Sequence, residues 1–294
     1  MIHAGNQPYR GNYMKRLVTI TLVVASLWAA NPVQAAESYD NCTGFIDSLP
    51  ATIGTQGTWC LRKNLSTGMA SGHAIEITTN NVTIDCNDFK IGGLAAGPSS
   101  ATNGIRAFTR QNITVRNCSI RGFYRGILLS GTNSSGHLIE NNRLDNNLQT
   151  AIEVAGENSL IQNNQVIDTG GNPDTVPWGI YSDGADVLNN SISGVFAVVD
   201  NEDVYGIQSF GTGITISGNR VRGLVPTGTT GQARGISSGA EAARISDNHA
   251  VVSPSATGVG IAGGSGSFCT GNTVAGFSTA FQNCDAADGS NLSN

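Results

Sequence analysis

The chain has 294 residues, of which 39% are hydrophobic and 13% charged, and its formal net charge is −5. Charged residues make up roughly 25% of an ordinary soluble domain, so this chain is unusually poor in them. Nucleic-acid binding depends on clusters of basic residues, and their absence here excludes nucleic acid as an expected partner. The chain contains 38 Gly and many Asn, which favour tight turns, and many Val and Ile, which favour short strands over helices.

The N-terminal segment 1–36 is predicted to be a signal peptide. Lys15 and Arg16 precede an apolar run of about 14 residues, and small residues around Ala35 offer a cleavage site. This run is shorter than the roughly 20 residues of a transmembrane helix, and no later run is long enough to span a membrane. The true start is predicted at Met14, and the protein is expected to be secreted or periplasmic.

The segment 37–66 is predicted to be an N-terminal cap that covers the first coil of the repeat described next. Three apolar side chains are available for that purpose, on Ile53, Trp59 and Leu61. The ends of repeat proteins need such covering, because a terminal repeat otherwise exposes its hydrophobic face.

A three-part motif recurs every 20 to 30 residues between residues 67 and 284. Each unit has a first apolar position after a small residue, then a second apolar position and a third one five residues further on. The first positions are Ile75, Ile105, Ile127, Ile152, Ile180, Ile207, Ile236, Ile261 and Phe281. The second are Ile84, Val115, Ile139, Ile161, Val187, Ile216, Ile245 and Cys269, and the third are Phe89, Ile120, Leu144, Val166, Ile192, Val221, Ala250 and Val274.

A polar residue lies three positions after each second apolar residue, and it is Asn in seven of the eight units. The Asn side chain tolerates the left-handed turn that a sharp corner between strands needs, and stacked amides can hydrogen-bond along an axis. The positions are Asn87, Cys118, Asn142, Asn164, Asn190, Asn219, Asn248 and Asn272.

Three short apolar strands per unit predict an all-β fold, a right-handed single-stranded parallel β-helix of about eight to nine coils. Stacked coils bury a continuous column of side chains and pair each strand with its equivalents above and below. A leucine-rich repeat would show Leu-rich spacing and helix formers, and a β-sandwich would not keep one register over eight units. The polar segment 285–294 is predicted to be a disordered tail.

Six cysteines behind a signal peptide favour disulfides, and the zinc-site spacing CxxC is absent. Sequence alone does not fix their connectivity, but the repeat narrows it. The favoured pairs, which would staple the cap, join two neighbouring coils and tie down the last coil, are Cys42–Cys60, Cys86–Cys118 and Cys269–Cys284.

The segment 74–93 (AIEITTNNVTIDCNDFKIGG) and its successors resemble the right-handed parallel β-helix repeat of the pectate-lyase-like superfamily. That superfamily contains polysaccharide lyases, glycoside hydrolases, carbohydrate epimerases, phage tailspikes and non-catalytic surface proteins. The resemblance implies a polysaccharide or cell-surface glycan as partner, lying in a groove beside the first strands. Long connections are expected to wall this groove, at residues 92–102, 168–177, 194–204 and 223–233.

The outward positions of the first strands combine aromatic with ionisable residues, as a sugar site requires. Aromatic faces stack on sugar rings, carboxylates bond hydroxyls or act as acid and base, and Arg125 would hold the carboxylate of an acidic sugar. The candidate catalytic residues are Arg125, Glu153, Tyr181 and Asp183. The candidate substrate-binding residues are Arg106, Trp178, Tyr205 and Arg234.

Four of the candidates also have a simpler interpretation. Glu153 is equally readable as a solvated residue of a sheet face, Trp178 and Tyr205 as covers of a coil edge, and Asp183, which precedes Gly184, as a turn residue. The oxygen-rich segment 200–203 is either a Ca²⁺ loop or a solvated loop tip. Apart from this possible Ca²⁺, no cofactor or metal is expected.

Catalytic motifs of the superfamily are missing. The chain lacks the adjacent Asp pair and Gly-His-Gly of polygalacturonases, the Asp-Pro-His-Asp of alginate epimerases and the Trp-Ile-Asp-His of pectate lyases. The coils contain Lys90 as their single lysine, which disfavours a lysine base. We therefore expect a monomeric, non-catalytic glycan-binding or surface module, with an extracellular polysaccharide lyase or glycoside hydrolase as the alternative.

Overall fold

A computed structural model describes residues 39–173, 175–284 and 290–293. The predicted signal peptide at 1–36 and the predicted start at Met14 lie outside the described residues, as does most of the predicted tail. The described residues form one 26-stranded sheet in which the neighbouring strands pair in parallel. Their only helix is a 3-10 turn at Leu94–Ala96, and none of their helices is long enough to cross a bilayer.

The first thirteen strands alternate with tight corners. In chain order they are β1 (Gly44–Phe45), β2 (Ala51–Ile53), β3 (Gly57–Cys60), β4 (Leu65–Ser66), β5 (Ser71–Ile77), β6 (Val82–Asp85), β7 (Lys90–Gly92), β8 (Ala101–Phe108), β9 (Ile113–Arg116), β10 (Ser119–Arg121), β11 (Arg125–Ser130), β12 (Leu138–Glu140) and β13 (Arg143–Asp145).

The remaining strands include four long ones that run around a corner. They are β14 (Thr150–Gln162), β15 (Gln165–Gly170), β16 (Trp178–Leu188), β17 (Ser191–Phe196), β18 (Val204–Phe210), β19 (Thr215–Ser217), β20 (Arg220–Val225), β21 (Ala233–Ser238), β22 (Arg244–Ser246), β23 (His249–Ala262), β24 (Phe268–Thr270), β25 (Thr273–Gln282) and β26 (Leu292–Ser293).

The strands wind into a right-handed parallel β-solenoid of about 9 turns, as the repeat predicts. The first apolar positions form one unbroken column, in which Ile75 pairs with Ile105 and each successor pairs with the next as far as Phe281. The isoleucines of this column are 0–1% exposed. Burial of one such side chain contributes about 1.5–3 kcal/mol, so the inward columns supply the main stabilisation of the fold.

A ladder of buried Asn amides runs along one corner of the solenoid. Each Asn donates through Nδ2 to the Oδ1 of the Asn one coil further on, at 3.0 Å, and it accepts from the previous coil. The members are Asn142, Asn164, Asn190, Asn219, Asn248, Asn272 and Asn291.

The sequence predicts that the ladder Asn adopts the left-handed conformation, and this prediction is wrong. That conformation falls on the residue before it, such as Asn141 at φ 56°, Asn163 at φ 56° or Gly218 at φ 68°. The reason is that the preceding residue turns the corner, which aims the ladder side chain inward, where its amide satisfies buried backbone carbonyls.

All three disulfides have the favoured pairings: Cys42–Cys60, Cys86–Cys118 and Cys269–Cys284. Cys118 donates its backbone N–H to Asn142 Oδ1 at 3.0 Å, so it occupies the next ladder position. Its bonded partner Cys86 lies in the adjacent coil, with the two Cα atoms 4.7 Å apart. The Asn ladder therefore continues into a covalent bond between the two coils at its N-terminal end.

Two predicted positions, Phe89 and Asn87, are corrected by the structure. In the coil after Cys86, the third apolar position is Ile91, which pairs with Ile120, and not Phe89. The turn there is longer, because both Asn87 and Asp88 have positive φ. The Asn87 amide is consequently not bonded into the ladder and donates to the Leu61 carbonyl instead.

The repeat also extends beyond both predicted ends. Strands β2, β3 and β4 lie within the predicted cap, yet they pair with β5, β6 and β7 as a complete coil. At the other end, residues 290–293 of the predicted tail are ordered: β26 pairs with β25, and Asn291 adds one member to the ladder. Hydrogen bonding to the coil below outweighs the polar composition of that segment.

A buried histidine lies at the start of the second strands. His137 is 2% exposed, and its Nδ1 accepts the backbone N–H of Ile113 at 3.3 Å. Since Nδ1 is an acceptor, the proton of the neutral ring is on Nε2, which lies 2.7 Å from Ser134 Oγ. Burial lowers the pKa of His137 to about 4, so the ring is neutral near pH 7.

Candidate functional site

All eight candidate site residues lie on the first-strand face, which comprises the outward positions of β5, β8, β11, β18, β21 and the first halves of β14 and β16. The alternation of side chains sets the first column, the second column consists of the residues three positions before it, and the register stacks both along the axis. One column contains Glu76, Arg106, Leu128, Glu153, Tyr181, Gln208 and Ser237. Its neighbour contains His73, Asn103, Arg125, Thr150, Trp178, Tyr205 and Arg234.

Four half-buried rings form a continuous aromatic strip across two coils of this face. Trp178 lies 5.8 Å from Tyr181 and 6.3 Å from Tyr205, measured between ring centroids. Tyr181 in turn lies 5.7 Å from Phe210. Trp178 Nε1 donates to Gln208 Oε1 at 2.6 Å, which fixes the indole on the sheet. The aromatic strip is therefore defined as Trp178, Tyr181, Tyr205 and Phe210.

An ion pair lies beside the aromatic strip, one coil toward the N-terminus. Arg125 Nε is 2.7 Å from Glu153 Oε2, and the two side chains are 28% and 20% exposed. The guanidinium also lies over the Tyr124 ring, 5.1 Å from its centroid. Burial raises the pKa of the Glu153 carboxyl, and the positive charge of Arg125 opposes that rise. Because Glu153 pairs with Tyr181, the carboxylate borders the aromatic strip directly.

A second ion pair borders the other side of the strip. Arg234 Nε lies 3.2 Å from Asp203 Oδ2, and its guanidinium lies over the Tyr205 ring at 5.6 Å. Burial is the main cause of the raised pKa of Tyr205. Asp203 comes from the long connection 197–203, so this connection does flank the first strands as the sequence predicts.

Arg106 lies apart from the other candidates, two coils from Glu153. Its Nη1 is 2.6 Å from Glu76 Oε1, and its guanidinium lies over the Phe108 ring at 5.0 Å. The structure thus brings seven of the eight candidates around the aromatic strip and leaves Arg106 in a separate cluster.

Asp183 is exposed and lies at the end of the first-strand half of β16. Its backbone pairs with Ala155 and Phe210, and the following Gly184 has φ 78°, so a turn does begin at this point. Ala155 is two residues beyond Glu153, and the strand and sheet spacings put the Cα atoms of Glu153 and Asp183 about 8 Å apart. Burial, followed by the charges of Asp183 and Glu153, raises the pKa of Tyr181.

The oxygen-rich segment 200–203 accepts hydrogen bonds from the connection between β20 and β21. Asn201 Oδ1 accepts the backbone N–H groups of Thr229 at 3.0 Å and Thr230 at 3.1 Å. Asp203 Oδ1 accepts the N–H of Gln232 at 2.8 Å. Within the described residues, no group of three or more His, Cys, Asp and Glu side chains is arranged to hold a metal ion.

Three residues that shape this face were not among the candidate site residues predicted from the sequence: Gln208, Phe210 and Asp203. Phe210 follows Gln208 by two residues, so the alternation along β18 puts both on the outward side and was a usable signal. Asp203 was considered only as part of a Ca²⁺ loop. Its contact with Arg234 depends on the path of a long connection, for which the sequence contains no signal.

The comparisons with known proteins agree with this architecture. The family described as the right handed beta helix region matches residues 51–219. No curated protein sequence matches the chain.

Solved β-helix structures are similar over most of this chain at low identity. The Dettilon tailspike protein has 14% identity and a TM-score of 0.42, over 81% of this chain and 54% of its own. A variant tailspike protein of E. coli bacteriophage HK620, in complex with a pentasaccharide, has 13% identity and a TM-score of 0.43, over 95% and 62%. The mannuronan C-5 epimerase A-module of Azotobacter vinelandii has 12% identity and a TM-score of 0.39, over 86% and 90%. The chain thus spans about half of the length of the first of these structures.

Proposed function

Because this chain belongs to the right handed beta helix family, we propose that it is a secreted β-helix protein that binds a polysaccharide or cell-surface glycan on its first-strand face, without catalysing a reaction. The aromatic strip is the single observation that carries this proposal. Aromatic side chains offer large, rigid apolar faces, which match the C–H faces of sugar rings. Glu153 and Asp183 lie beside the strip and accept hydrogen bonds from sugar hydroxyls.

The strip is organised before any ligand arrives, which favours binding. The Trp178 indole is held by Gln208, and its ring contacts Tyr181 and Tyr205. A ligand that stacks on rings already fixed in place does not have to offset the loss of their side-chain entropy. Strands carry the strip, and the parallel ladder holds them on both sides, so the binding surface is rigid.

A non-catalytic role is favoured because three of the four candidate catalytic residues are either paired with one another or unsuitably protonated for chemistry. Glu153 is paired with Arg125, whose charge is in turn unavailable for a substrate. The raised pKa of Tyr181 keeps its phenol protonated near pH 7, so Tyr181 is a poor base for a lyase reaction.

The alternative is an extracellular polysaccharide lyase or glycoside hydrolase, and one observation favours the hydrolase. The buried Glu153, whose pKa is raised, has the property of a general acid, while the exposed Asp183 lies one coil away. Inverting glycosidases separate their two carboxyl groups by about 6.5–9.5 Å, and Cα atoms about 8 Å apart are compatible with that range.

Secretion is proposed on two grounds. The N-terminal segment has the composition of a signal peptide. The described cysteines are all in disulfides, which persist in oxidising compartments such as the bacterial periplasm and the extracellular space. We propose that the protein is a monomer. Binding assays with and without added Ca²⁺ test whether the oxygen-rich segment 200–203 holds this ion.

A glycan array with matched variants tests the proposal. We expect the chain to bind at least one glycan, and Trp178→Ala to weaken that binding at least tenfold without changing the circular dichroism spectrum. Phe268→Ala is the control, because Phe268 is equally aromatic and 60% exposed but lies on a second strand, away from this face. Binding that is indifferent to Trp178→Ala would contradict the site.

A polysaccharide panel separates binding from catalysis. A lyase produces unsaturated ends that absorb ultraviolet light, and a hydrolase produces new reducing ends. We expect neither product. Turnover that is abolished by Glu153→Gln and by Asp183→Asn would establish the hydrolase alternative instead.

A further inference from the structure

The three arginines of the first-strand face are each paired with a carboxylate and each lie over an aromatic ring, on the face itself or directly beside it. The distances between guanidinium and carboxylate are 2.6, 2.7 and 3.2 Å, and each guanidinium lies over a ring at 5.0–5.6 Å. The three clusters are Arg106 with Glu76 and Phe108, Arg125 with Glu153 and Tyr124, and Arg234 with Asp203 and Tyr205.

The positive charge of each arginine on this face is therefore balanced by a paired carboxylate. Three arginines face three paired carboxylates, and Asp183 adds a fourth, exposed carboxylate beside the strip. Burial lowers the pKa of His73, so this histidine is neutral near pH 7 and contributes no cation. The face has a small net negative charge, which repels a polyanion.

An acidic sugar that binds one of these arginines either displaces the paired carboxylate or brings a second negative charge beside it. Transfer of Arg125 from Glu153 to a ligand carboxylate would leave Glu153, which is 20% exposed, without its partner charge. A partly buried carboxylate that loses its partner is strongly disfavoured, so the exchange costs more than it gains. On this argument Arg125 stays paired with Glu153 and does not hold the carboxylate of an acidic sugar.

A neutral sugar requires no such exchange. Its hydroxyls donate to Asp183 and to the free oxygen of Glu153, while its C–H faces stack on the aromatic strip. We infer that the first-strand face recognises a neutral polysaccharide and discriminates against polyuronates. This inference rests on the proposed function, since it names the ligand class of the same site.

The test compares neutral and acidic oligosaccharides of equal length on the purified chain. The probes are gluco-, manno- and galacto-oligosaccharides on one side, and oligogalacturonate and oligomannuronate on the other, measured by calorimetry at low and high salt. We expect at least one neutral probe to bind at least tenfold more tightly than either uronate. We also expect its affinity to change less than twofold with salt, because no ion pair forms with the protein.

The variant Glu153→Gln reverses the discrimination. It frees Arg125, so oligouronate affinity is expected to rise at least tenfold and to become salt-dependent, while the neutral probe loses only one hydrogen bond. Glu241→Gln is the matched control, because Glu241 carries the same charge on an exposed loop and its removal should change neither affinity. Thermal denaturation confirms that both variants are folded.

Two outcomes overturn the inference in different ways. A uronate that binds the unmodified chain more tightly than every neutral probe, through a site lost in Trp178→Ala, refutes the ligand class and leaves the proposed function standing. If no probe of either class binds, or if binding does not depend on Trp178, the proposed function fails and the inference fails with it.

Discussion

His137 lies at the start of a second strand, and its ring accepts one backbone N–H and contacts the Ser134 hydroxyl. Protonation would place a donor against the Ile113 N–H and a charge in the core. Burial lowers its pKa from 6.5 in the unfolded chain to about 4. As the pH falls through this window, the unfolded chain takes up the proton first, so the free energy of unfolding must decrease.

We therefore expect the midpoint of thermal unfolding to be constant between about pH 7 and pH 8 and to fall between pH 6.5 and 4. The loss attributable to this one residue is on the order of 3 kcal/mol. In His137→Gln the unfolding free energy should depend less on pH in this range. His249→Gln is the control, since that ring is exposed on a third strand. An unchanged slope in His137→Gln would contradict this account.

At the scale of single residues, the sequence indicated which positions face outward but not which side chains they contact. Alternation put Glu153 on the outward side, and Arg125 and Trp178 were expected beside it because each lies just before an outward position; the structure brings all three to one face. The bond from Trp178 to Gln208 and the pair of Arg125 with Glu153 join residues about 30 positions apart. Those contacts depend on the rotamers of long side chains, which no repeat pattern encodes.

The Asn ladder is the feature that holds one corner of every coil in register. Asn190 donates to the carbonyls of Ile161 and Leu188 and to Asn219, and it accepts from Asn164. Its loss would leave several buried backbone groups without partners, each of which costs about 1–3 kcal/mol.

Replacement of Asn190 by Ala is expected to lower the free energy of unfolding by about 2–4 kcal/mol in denaturant titrations. Asn189→Gly is the neighbouring control. Asn189 has φ 56°, a conformation that Gly adopts without strain, so its substitution should change stability by less than about 1 kcal/mol. Equal losses in the two variants would show that the corner, and not the amide ladder, is the sensitive element.

For the elements, the sequence was accurate wherever the spacing from second to third apolar position stayed constant. It failed at Phe89 because the corner at Asn87 and Asp88 is longer, and a fixed offset then selects the wrong residue. It also placed the first coil in the cap, because β2 to β4 have no ladder Asn to mark them.

Over the whole molecule, each coil contacts mainly the coils above and below it, so stability depends on position along the axis. The Cys269–Cys284 disulfide lies in the last described coils and closes a separation of 15 residues, whereas Cys86–Cys118 joins two coils nearer the other end across 32 residues. Neighbour-only contacts allow an end to unfold while the rest stays folded.

We expect Cys269→Ser/Cys284→Ser to release amide protection against hydrogen exchange in β24 to β26 and to leave the central coils protected. Cys86→Ser/Cys118→Ser should instead lower the global free energy of unfolding by about 3–4 kcal/mol, the chain-entropy value for its longer loop. Loss of protection throughout the chain in the first variant would refute this end-localised behaviour.

The column that runs from Ile75 to Phe281 keeps one register through coils of different length, because the corners and connections absorb every inserted residue. Duplication of the gene segment that encodes one coil can therefore lengthen the solenoid without disturbing the neighbouring coils. A coil inserted between Glu153 and Trp178 would move the ion pair away from the aromatic strip by one step of about 4.8 Å. The distance between the ion pair and the aromatic strip can therefore change during evolution only in whole coil steps.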